Sequence, residues 1–200
     1  MKRVFDVGFA AAALLSVSLL FIAIIVMIRL TSKGPAIYMH RRVGFGGRTF
    51  PCLKFRTMVT DADERLKKLL ETDAEARREF ELHRKLRHDP RIIPGIGAFL
   101  RTSSLDELPQ LINVLLGHMS IVGPRPVTEE EINRYRDAAE DYYRSRPGMT
   151  GLWQVSGRNN LSFEERVRID QSYIRKWSFL QDIRIILRTS GVVFLRRGAY

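Results

Sequence analysis

A long apolar segment without a single charge, residues 7–28, restricts the fold of this chain more than any other feature. As an α-helix it would be about 33 Å long, close to the hydrocarbon thickness of a bilayer. It is longer than the apolar part of a typical signal peptide, and no small-residue cleavage site follows it. A buried helix of a soluble domain is the alternative. The composition favours a membrane helix within residues 1–33, followed by a separate domain in residues 34–200.

Basic residues stand on both sides of this segment, with Lys2 and Arg3 before it and Arg29 and Lys33 after it. Because positively charged flanks tend to stay in the cytoplasm, a helix that enters and returns on the same side satisfies both ends. The segment lacks proline, which leaves a straight spanning helix as the alternative, but its serines could bend it through bonds to the backbone. We expect a re-entrant helix with both termini in the cytoplasm.

The chain is strongly basic, with 33 Lys and Arg against 22 Asp and Glu and a formal net charge of +11. Such a surplus predicts a polyanionic partner, and nucleic acid, anionic lipid and a phosphorylated ligand all fit it. The single cysteine, Cys52, excludes an internal disulfide and fits a reducing compartment. We interpret Cys52 as a small apolar residue of a strand.

The segments after residue 33 indicate one mostly helical α/β domain. Extended segments at 35–40 and 49–58, joined by a glycine-rich turn, predict a β-hairpin. Charge, capping and periodicity signals predict four helices and two rigid loops between them. The helices are expected at 61–88, 104–116 and 128–144 and from a Ser162–Glu165 capping box to about residue 177, with loops at 123–126 and 146–160. Residues 180–197 alternate apolar triplets with arginines, a basic amphipathic pattern suited to an anionic membrane surface.

Two adjacent carboxylates, Asp106 and Glu107, are the most informative polar residues. Ser104 and Glu107 have the spacing of a capping box, so an ordinary helix start explains them without any chemistry. Pro109 favours a different start, because proline is most comfortable at the first helical position, and both acids would then lie just outside the helix. In either register Asp106 lies near the positive end of a helix, where its carboxylate stays ionised.

A carboxylate in this position can act as a nucleophile that forms an acyl phosphate, and its neighbour can help to hold Mg²⁺ together with substrate phosphates. Transfer of a phosphoryl group also needs positive charge around the developing oxygens. Candidate cations for binding this substrate are Lys54, Arg56, Arg101, Arg125 and Arg158. Each of them also fits a surface or lipid-facing charge. Arg125 is the best candidate, because its two flanking prolines restrict the backbone.

Four motifs in a fixed order carry a resemblance to a known family: KFRTM, LDELPQLINVL, MSIVGPRP and RPGMTGLWQVSGRN, which start at residues 54, 105, 119 and 146. Together they resemble the bacterial sugar transferases, the monotopic phosphoglycosyl transferases that start the assembly of O-antigen, capsule, exopolysaccharide and glycoprotein glycans. The likeness covers essentially the whole chain. The GLWQVSGRN and terminal GAY segments look most like undecaprenyl-phosphate galactose or glucose phosphotransferases.

The resemblance implies a re-entrant membrane helix and a ping-pong reaction that depends on Mg²⁺. Asp106 would attack the β-phosphate of a UDP-sugar, expel UMP and hold the sugar phosphate covalently, while Glu107 shares the metal with it. The other matches are three cations of the phosphate site, three residues near the nucleotide and one acid that orients basic groups. They are Lys54, Arg101 and Arg125; Gln154, Arg158 and Asn159; and Asp182.

The partners implied by the resemblance are a UDP-sugar, undecaprenyl phosphate and membrane lipids, with no nucleic acid and with a homodimer as a further assembly. The expected location is the bacterial cytoplasmic membrane, with the catalytic domain on its cytoplasmic face. Two positions depart from the family pattern. The central Ser-Pro of the re-entrant helix reads Ser18-Leu19, which removes the main kink-forming residue. His118 stands where the family commonly has an acid.

Two other functions fit the same residues. The first is a non-catalytic membrane-anchored protein whose basic surface binds anionic lipid or nucleic acid. The second is a transferase that never holds the sugar phosphate covalently. Substitution of Asp106 separates the first from the expected enzyme, because a binding protein tolerates it. Trapping of a labelled protein intermediate separates the second.

Overall fold

The computed structural model describes residues 1–83, 86–156 and 161–194. Helices dominate these residues, and two small two-stranded sheets lie among them. The helices are α1 (Lys2–Ser16), α2 (Ser18–Thr31), α3 (Ala62–Thr72), α4 (Ala74–His83), α5 (Ile96–Ser103), α6 (Gln110–Leu115), α7 (Glu129–Asn133), α8 (Ala138–Tyr143), α9 (Phe163–Arg175) and α10 (Phe179–Phe194). The strands are β1 (Ile37–Val43), β2 (Thr49–Phe55), β3 (Ser120–Val122) and β4 (Gly148–Thr150). The predicted mostly helical α/β fold is confirmed.

The apolar N-terminal segment is bent, with an angle of 63° between α1 and α2. Ser16 donates its hydroxyl to the carbonyl oxygen of Ala13 at 2.8 Å, a side-chain bond of the kind that bends helices. Leu19, which replaces the family proline, is 83% exposed beside the break. The predicted bend is therefore present without a proline. Within the described residues, no helix alone has the length and apolarity to cross a bilayer, whereas the bent pair together meets that criterion on length and composition only.

α1 is built into the core of the domain that follows it. Ala10 is buried against α6. The buried carboxylate of Asp6 accepts the Ser120 hydroxyl at 2.8 Å and the Ile121 N–H at 3.0 Å. Two isoleucines of α2 lie in a second apolar cluster, together with residues of β2 and α5. The boundary predicted at residue 33 is therefore crossed by tertiary contacts.

β1 and β2 form the predicted antiparallel hairpin, with Ile37 opposite Phe55 and Val43 opposite Thr49. Cys52 lies in β2 and is buried, as expected. Burial raises the pKa of its thiol, which is the behaviour of an inert apolar residue. The hairpin thus supplies a rigid support on which charged side chains of both strands are held.

The helix predicted over residues 61–88 is wrong in two respects, because it is two helices and because residues 86–88 are not helical. α3 ends at Thr72, and the side chain of Asp73 accepts the backbone N–H groups of Glu75 and Ala76, both at 2.9 Å. Asp73 thus starts α4 as an N-cap, and α4 packs back against α3. Residues 84 and 85, where the predicted helix continued, lie outside the described residues.

The helix predicted over residues 128–144 is also divided. Thr128 and Glu131 form a capping box at the start of α7. The chain then turns at Arg136, whose φ of 50° is in the left-handed region, before α8 begins. This turn brings the rings of Tyr135 and Tyr142 edge to face, with centroids 5.5 Å apart. The helix breaks because the tertiary structure buries these two rings, and local helix propensity cannot predict that.

β3 and β4 form a parallel pair that the sequence did not predict. Gly123 donates its N–H to the Thr150 carbonyl at 2.9 Å, and Gly148 donates to the Pro124 carbonyl at 2.8 Å. A Cβ at either glycine would collide with the backbone of the other, so this close approach requires glycine at both positions. The pair brings the two predicted loops side by side.

The C-terminal helices agree closely with the prediction from the sequence. Ser162 and Glu165 form the predicted capping box, and it starts α9. α10 is the predicted amphipathic helix, with Ile185 buried and Leu180 and Leu187 exposed. Residues 195–197, which carry the last two arginines of the predicted basic pattern, lie outside the described residues.

Candidate active site

The two predicted acids lie on a short turn between α5 and α6. Ser104 takes a φ of 58°, and Leu105–Glu107 then forms one turn of 3-10 helix. The predicted capping box of Ser104 and Glu107 is wrong, because the Ser104 backbone is left-handed and its side chain caps nothing. α6 begins at Gln110, directly after Pro109. The structure thus has the alternative register, in which both acids lie outside the helix.

Lys54 of β2 is the cation that contacts the dyad, the pair Asp106 and Glu107. Its ammonium lies 2.6 Å from a carboxylate oxygen of Glu107 and 4.0 Å from one of Asp106. The buried side chain of Asn113 on α6 accepts a β2 N–H and donates to a β2 carbonyl, both at 2.8 Å. Asn113 therefore fixes the strand of the cation to the helix that follows the acids. Sequence reasoning missed this residue, which reads as one more helical position.

Asp106 is the more buried acid of the dyad, with its side chain 16% exposed against 34% for Glu107. Burial raises the pKa of Asp106 from 3.8 to about 6, and the neighbouring charge of Glu107 acts in the same direction. The charges of Lys54 and Arg101 oppose this increase. At pH 7 the carboxylate is mostly ionised but poorly solvated. This state suits a nucleophile.

A narrow cleft of about 20 Å³, enough for roughly one water molecule, opens beside the dyad. Its wall includes three cations, Arg42, Lys54 and Arg125, and one acid, Glu107. Gln154 lies on the same wall, whereas Asp106, the more buried acid of the dyad, does not line the cleft. The excess of positive charge attracts phosphate groups. A larger and more open hollow between α3 and α4 contains none of the predicted site residues.

The loop that carries Arg125 is clamped by two buried polar side chains. The Tyr142 hydroxyl lies 3.1 Å from the Arg125 carbonyl oxygen and accepts the Val127 N–H at 3.3 Å. The Tyr135 hydroxyl donates to the buried carboxyl group of Asp170 at 3.3 Å, and Arg125 lies close enough to lower the pKa of that group. Burial raises the pKa of Asp170 to about 8, so this group is mostly neutral at pH 7. Sequence reasoning found neither Tyr142 nor Asp170, because both look like ordinary helical residues.

Arg56 does not take part in the cleft. Its guanidinium is buried and donates to the Pro35 carbonyl at 2.6 Å and to Ser32 at 2.9 and 3.0 Å. These bonds attach the end of α2 to the hairpin. The predicted role in substrate binding is therefore corrected to a structural one, since the protein itself engages the guanidinium nitrogens.

Asp182 is buried and well bonded, but to a different part of the molecule than predicted. Its carboxylate accepts Lys2 at 2.5 Å, Tyr173 at 2.6 Å and Trp177 at 3.0 Å. In the described part of the chain, none of the cations predicted for the phosphate site is among these partners. Asp182 orients Lys2 and thereby fixes the start of α1 on α10.

The remaining predicted positions differ in their outcome. Arg101 is exposed in the last turn of α5, and its charge lowers the pKa of Asp106. Arg158 and Asn159 lie outside the described residues. His118, the departure from the family pattern, packs its ring on Phe50 with centroids 5.6 Å apart.

The dyad is also the place where this chain could hold a metal ion. Among the described residues there is no group of three or more His, Cys, Asp and Glu side chains. Mg²⁺ is commonly held by one or two carboxylates together with substrate phosphates. Two adjacent carboxylates beside a phosphate-attracting cleft fit that type of site.

Comparisons with known proteins identify the family of this chain. The model of the bacterial sugar transferase family matches residues 1–196. Exopolysaccharide production protein ExoY of Sinorhizobium fredii is 48% identical over 199 residues, which cover 100% of this chain and 88% of that protein. The UDP-galactose-lipid carrier transferase of Erwinia amylovora is 50% identical over 202 residues, and the undecaprenyl-phosphate galactose phosphotransferase of Salmonella typhimurium is 49% identical over 205.

Both of the last two alignments cover 100% of this chain but 42% of the longer relative. The matched region nevertheless contains every residue of the dyad and the cleft, because it spans the whole chain. The match of the family model and the identity to ExoY lead to the same assignment. The chain belongs to the bacterial sugar transferase family and is a phosphoglycosyl transferase.

Proposed function

We propose that this enzyme transfers a hexose 1-phosphate from a UDP-hexose to undecaprenyl phosphate and releases UMP. The observation that carries the proposal is the turn of Asp106 and Glu107 beside Lys54, at the edge of a cation-rich cleft. The names of two relatives refer to galactose and a lipid carrier or undecaprenyl phosphate. An Escherichia coli relative, 36% identical over 208 residues, is named for UDP-glucose. Galactose and glucose are therefore the first sugars to test.

The reaction is proposed to proceed in two displacements at phosphorus. In the first, an Asp106 oxygen forms a bond to the β-phosphorus of the UDP-hexose, and the bond from that phosphorus to the bridging oxygen breaks. The bridging oxygen leaves with UMP. In the second, a phosphate oxygen of undecaprenyl phosphate attacks the same phosphorus and expels the Asp106 carboxylate. The products are undecaprenyl-diphosphate-hexose and the regenerated enzyme.

The charges around the dyad support this sequence of steps. Phosphoryl transfer is helped mainly by positioning and by cations around the phosphate oxygens. Lys54 and Arg125 on the cleft wall are the residues we propose for this role, with Arg101 as a third cation near Asp106. Gln154 would contact the nucleotide from the opposite loop. The roles of Arg158 and Asn159 near the nucleotide stay predictions from the resemblance.

Mg²⁺ is proposed as the cofactor, held by Asp106 and Glu107 and by the diphosphate of the donor. When bound, it would neutralise part of the charge on the diphosphate oxygens. The ion pair of Glu107 with Lys54 keeps both carboxylates of the dyad near one cation in the absence of substrate. The chain itself then supplies the nucleophile, the cations of the cleft and the fixed spacing between them.

The membrane is proposed to receive the bent α1–α2 pair, with both termini and the active site on the cytoplasmic side. The donor is a polar cytoplasmic nucleotide, whereas the acceptor presents its phosphate at the membrane interface, so one interfacial site serves both. Large apolar side chains are exposed on several elements besides α2, and they offer further apolar surface for contact with lipid. They include Phe99, Leu116, Trp177, Leu180 and Leu187. Assembly as a homodimer stays a prediction from the resemblance.

A UMP-release assay tests the proposed function most simply. The full chain in detergent with undecaprenyl phosphate is given UDP-galactose, UDP-glucose and other UDP-sugars in turn. We expect UMP release with at least one donor and formation of a lipid-linked diphosphate sugar. Asp106→Asn should abolish release, because loss of the nucleophile costs several kcal/mol of barrier.

A matched variant separates chemistry from a general effect of charge. Asp63→Asn makes the same change of carboxylate to amide at an exposed position in the first turn of α3, and it should leave the rate unchanged. A rate above about a tenth of wild type in Asp106→Asn would contradict the covalent assignment. Absence of UMP with every donor would contradict the proposed reaction.

A further inference from the structure

Arg42 is the cation of the cleft wall that none of the sequence motifs singled out. It lies on β1 with its side chain 15% exposed, and it shares the wall with Lys54 and Arg125. Its cross-strand partner is the buried Phe50, which places Arg42 on the inner face of the hairpin. The neighbouring Arg41 is exposed on the other face. The two arginines therefore have the same charge and the same strand but different surroundings.

The guanidinium of Arg42 is held in place by two groups. It donates to Glu131 at 3.0 Å and lies 3.0 Å from the Nδ1 atom of His40. The Glu131 oxygen that it contacts also accepts the Thr128 N–H at 2.8 Å, within the capping box of α7. Burial, together with the charges of Arg42 and Lys54, lowers the pKa of His40, so its Nδ1 can accept this bond.

These contacts leave binding capacity on Arg42. A guanidinium carries five N–H groups, and the contacts to Glu131 and His40 engage one hydrogen on each of two nitrogens. Three N–H groups are therefore left for other acceptors, and the side chain that carries them lines the cleft. Because its neighbours already hold the Arg42 side chain in place, little binding free energy is lost in ordering that side chain when a ligand binds.

The position of Arg42 along β1 indicates which phosphate it meets. Lys54 lies opposite Tyr38, four residues before Arg42, so the backbones of the two residues are about 13 Å apart along the strand axis. Their long side chains converge on the one small cleft that both of them line. β1 begins close to the end of α2, whose apolar residues are exposed, and the end that carries Arg42 is joined to the Arg125 loop by the Val43–Val127 bridge. Arg42 is therefore on the side of the cleft away from α2.

We propose that Arg42 binds the α-phosphate of the UDP-sugar, the phosphate that leaves as UMP. The inference rests on the proposed function and extends it by one donor-binding residue. In this assignment the β-phosphate lies by the dyad and Lys54, and the nucleotide extends across the mouth of the cleft toward Arg42 and Arg125. Undecaprenyl phosphate approaches from the α2 side and does not contact Arg42.

Direct binding of UMP to the purified full chain in detergent tests the proposal, since UMP can be titrated by calorimetry without turnover. Arg42→Gln should weaken UMP binding about ten- to a hundredfold, as expected for loss of a charged hydrogen bond. Arg42→Lys should recover part of the affinity, because it keeps the charge without the planar donor pair. Arg41→Gln is the matched control and should stay within about twofold of wild type.

Glu131→Gln tests whether Arg42 binds a ligand or only forms a structural ion pair with Glu131. It removes the ion pair but keeps an oxygen for the capping box, so it should weaken UMP binding less than Arg42→Gln does. Equal losses of UMP affinity and of thermal unfolding temperature in Glu131→Gln and Arg42→Gln would overturn the proposal in favour of a purely structural pair. Unchanged UMP affinity in a folded Arg42→Gln variant would overturn it as well.

Steady-state kinetics distinguish the two phosphate sources. Arg42→Gln should raise the KM for the UDP-sugar and leave the KM for undecaprenyl phosphate unchanged. The opposite pattern would assign Arg42 to the lipid phosphate and overturn the proposal. If wild type binds UMP through Arg42 but releases none from any UDP-sugar, the proposed reaction fails while the role of Arg42 stands. If wild type turns over but Arg42→Gln binds UMP normally, the role of Arg42 fails while the proposed reaction stands.

Discussion

The ammonium of Lys54 lies 4.0 Å from a carboxylate oxygen of Asp106. At this distance the cation stabilises the ionised carboxylate through its charge and leaves the oxygen without a close hydrogen bond to it. Glu107 takes the short contact with the same ammonium instead, at 2.6 Å. The two acids of the dyad thus differ in their contacts, because Glu107 engages the cation closely and Asp106 only feels its charge.

The rate should depend on pH through the ionisation of Asp106. Because burial raises its pKa to about 6, kcat/KM for the UDP-sugar should increase as the pH rises through about 6 and then level off. Lys54→Gln removes a positive charge that lowers the pKa of Asp106, so the low-pH limb of the profile, where kcat/KM rises, should move to higher pH. Arg41→Gln should leave the limb in place. An unchanged limb in Lys54→Gln, measured from pH 5 to 8, would contradict the assigned electrostatic role.

The buried Asp170 should make the fold less stable as the pH rises. Its folded-state pKa of about 8 exceeds the usual 3.8, so the protonated form is favoured by folding, and that stabilisation is lost between about 3.8 and about 8. From pH 6 to 8, wild type should lose about 2 kcal/mol more than Asp170→Asn. Denaturant unfolding in detergent measures this difference. Equal losses in both proteins would show that Asp170 is already ionised at pH 6.

The sequence predicted those parts of the fold that depend on local signals. The hairpin and the Ser162 capping box were found because alternation and capping spacing are read within a few residues. The parallel pair at Gly123 was missed because it is determined by contact between distant segments. The helix break at Arg136 was missed because it accompanies the burial of Tyr135 and Tyr142 in the core. Ser104 shows the same limit, since its spacing suits a cap but the chain takes a left-handed turn there.

The residues of the candidate site were likewise predicted only in part. The dyad and Lys54 belong to recognisable motifs, and the structure brings them together. Arg42 and Asn113 were not found, because nothing in their local sequence separates a residue that faces the cleft or the core from one that faces solvent. The predicted role of Arg56 failed for the same reason, as its guanidinium is directed to backbone acceptors.

Removal of divalent metal should stop the reaction. The described residues offer the metal two carboxylates and no third ligand of the usual types, so Mg²⁺ should bind weakly without the donor. EDTA should abolish UMP release, and added Mg²⁺ should restore it. Calorimetry should detect tighter Mg²⁺ binding in the presence of UDP-sugar, and Glu107→Gln should weaken it. Full activity in excess chelator would remove the metal from the mechanism.

The bent α1–α2 pair should leave both ends of the segment in the cytoplasm. Lys2 is unsuitable for labelling because it is bonded to Asp182, whereas Val4 is exposed. In a Cys52→Ser background, Val4→Cys should resist an impermeant maleimide in intact cells and react after permeabilisation. Labelling from the periplasm would show that the segment spans the membrane. A variant with proline in place of Leu19 should give the same result as the natural sequence, because the bend is already present.

The central claim is that Asp106 holds the sugar phosphate covalently. The purified full chain, given UDP-sugar and Mg²⁺ without undecaprenyl phosphate, should release one UMP per active site and then stop. Intact-protein and peptide mass spectrometry should find a hexose phosphate on the peptide that contains Asp106, and addition of undecaprenyl phosphate should discharge it. Asp106→Asn should release no UMP and carry no adduct. Lipid-dependent turnover of wild type without any adduct, or an adduct on another residue, would contradict the covalent mechanism.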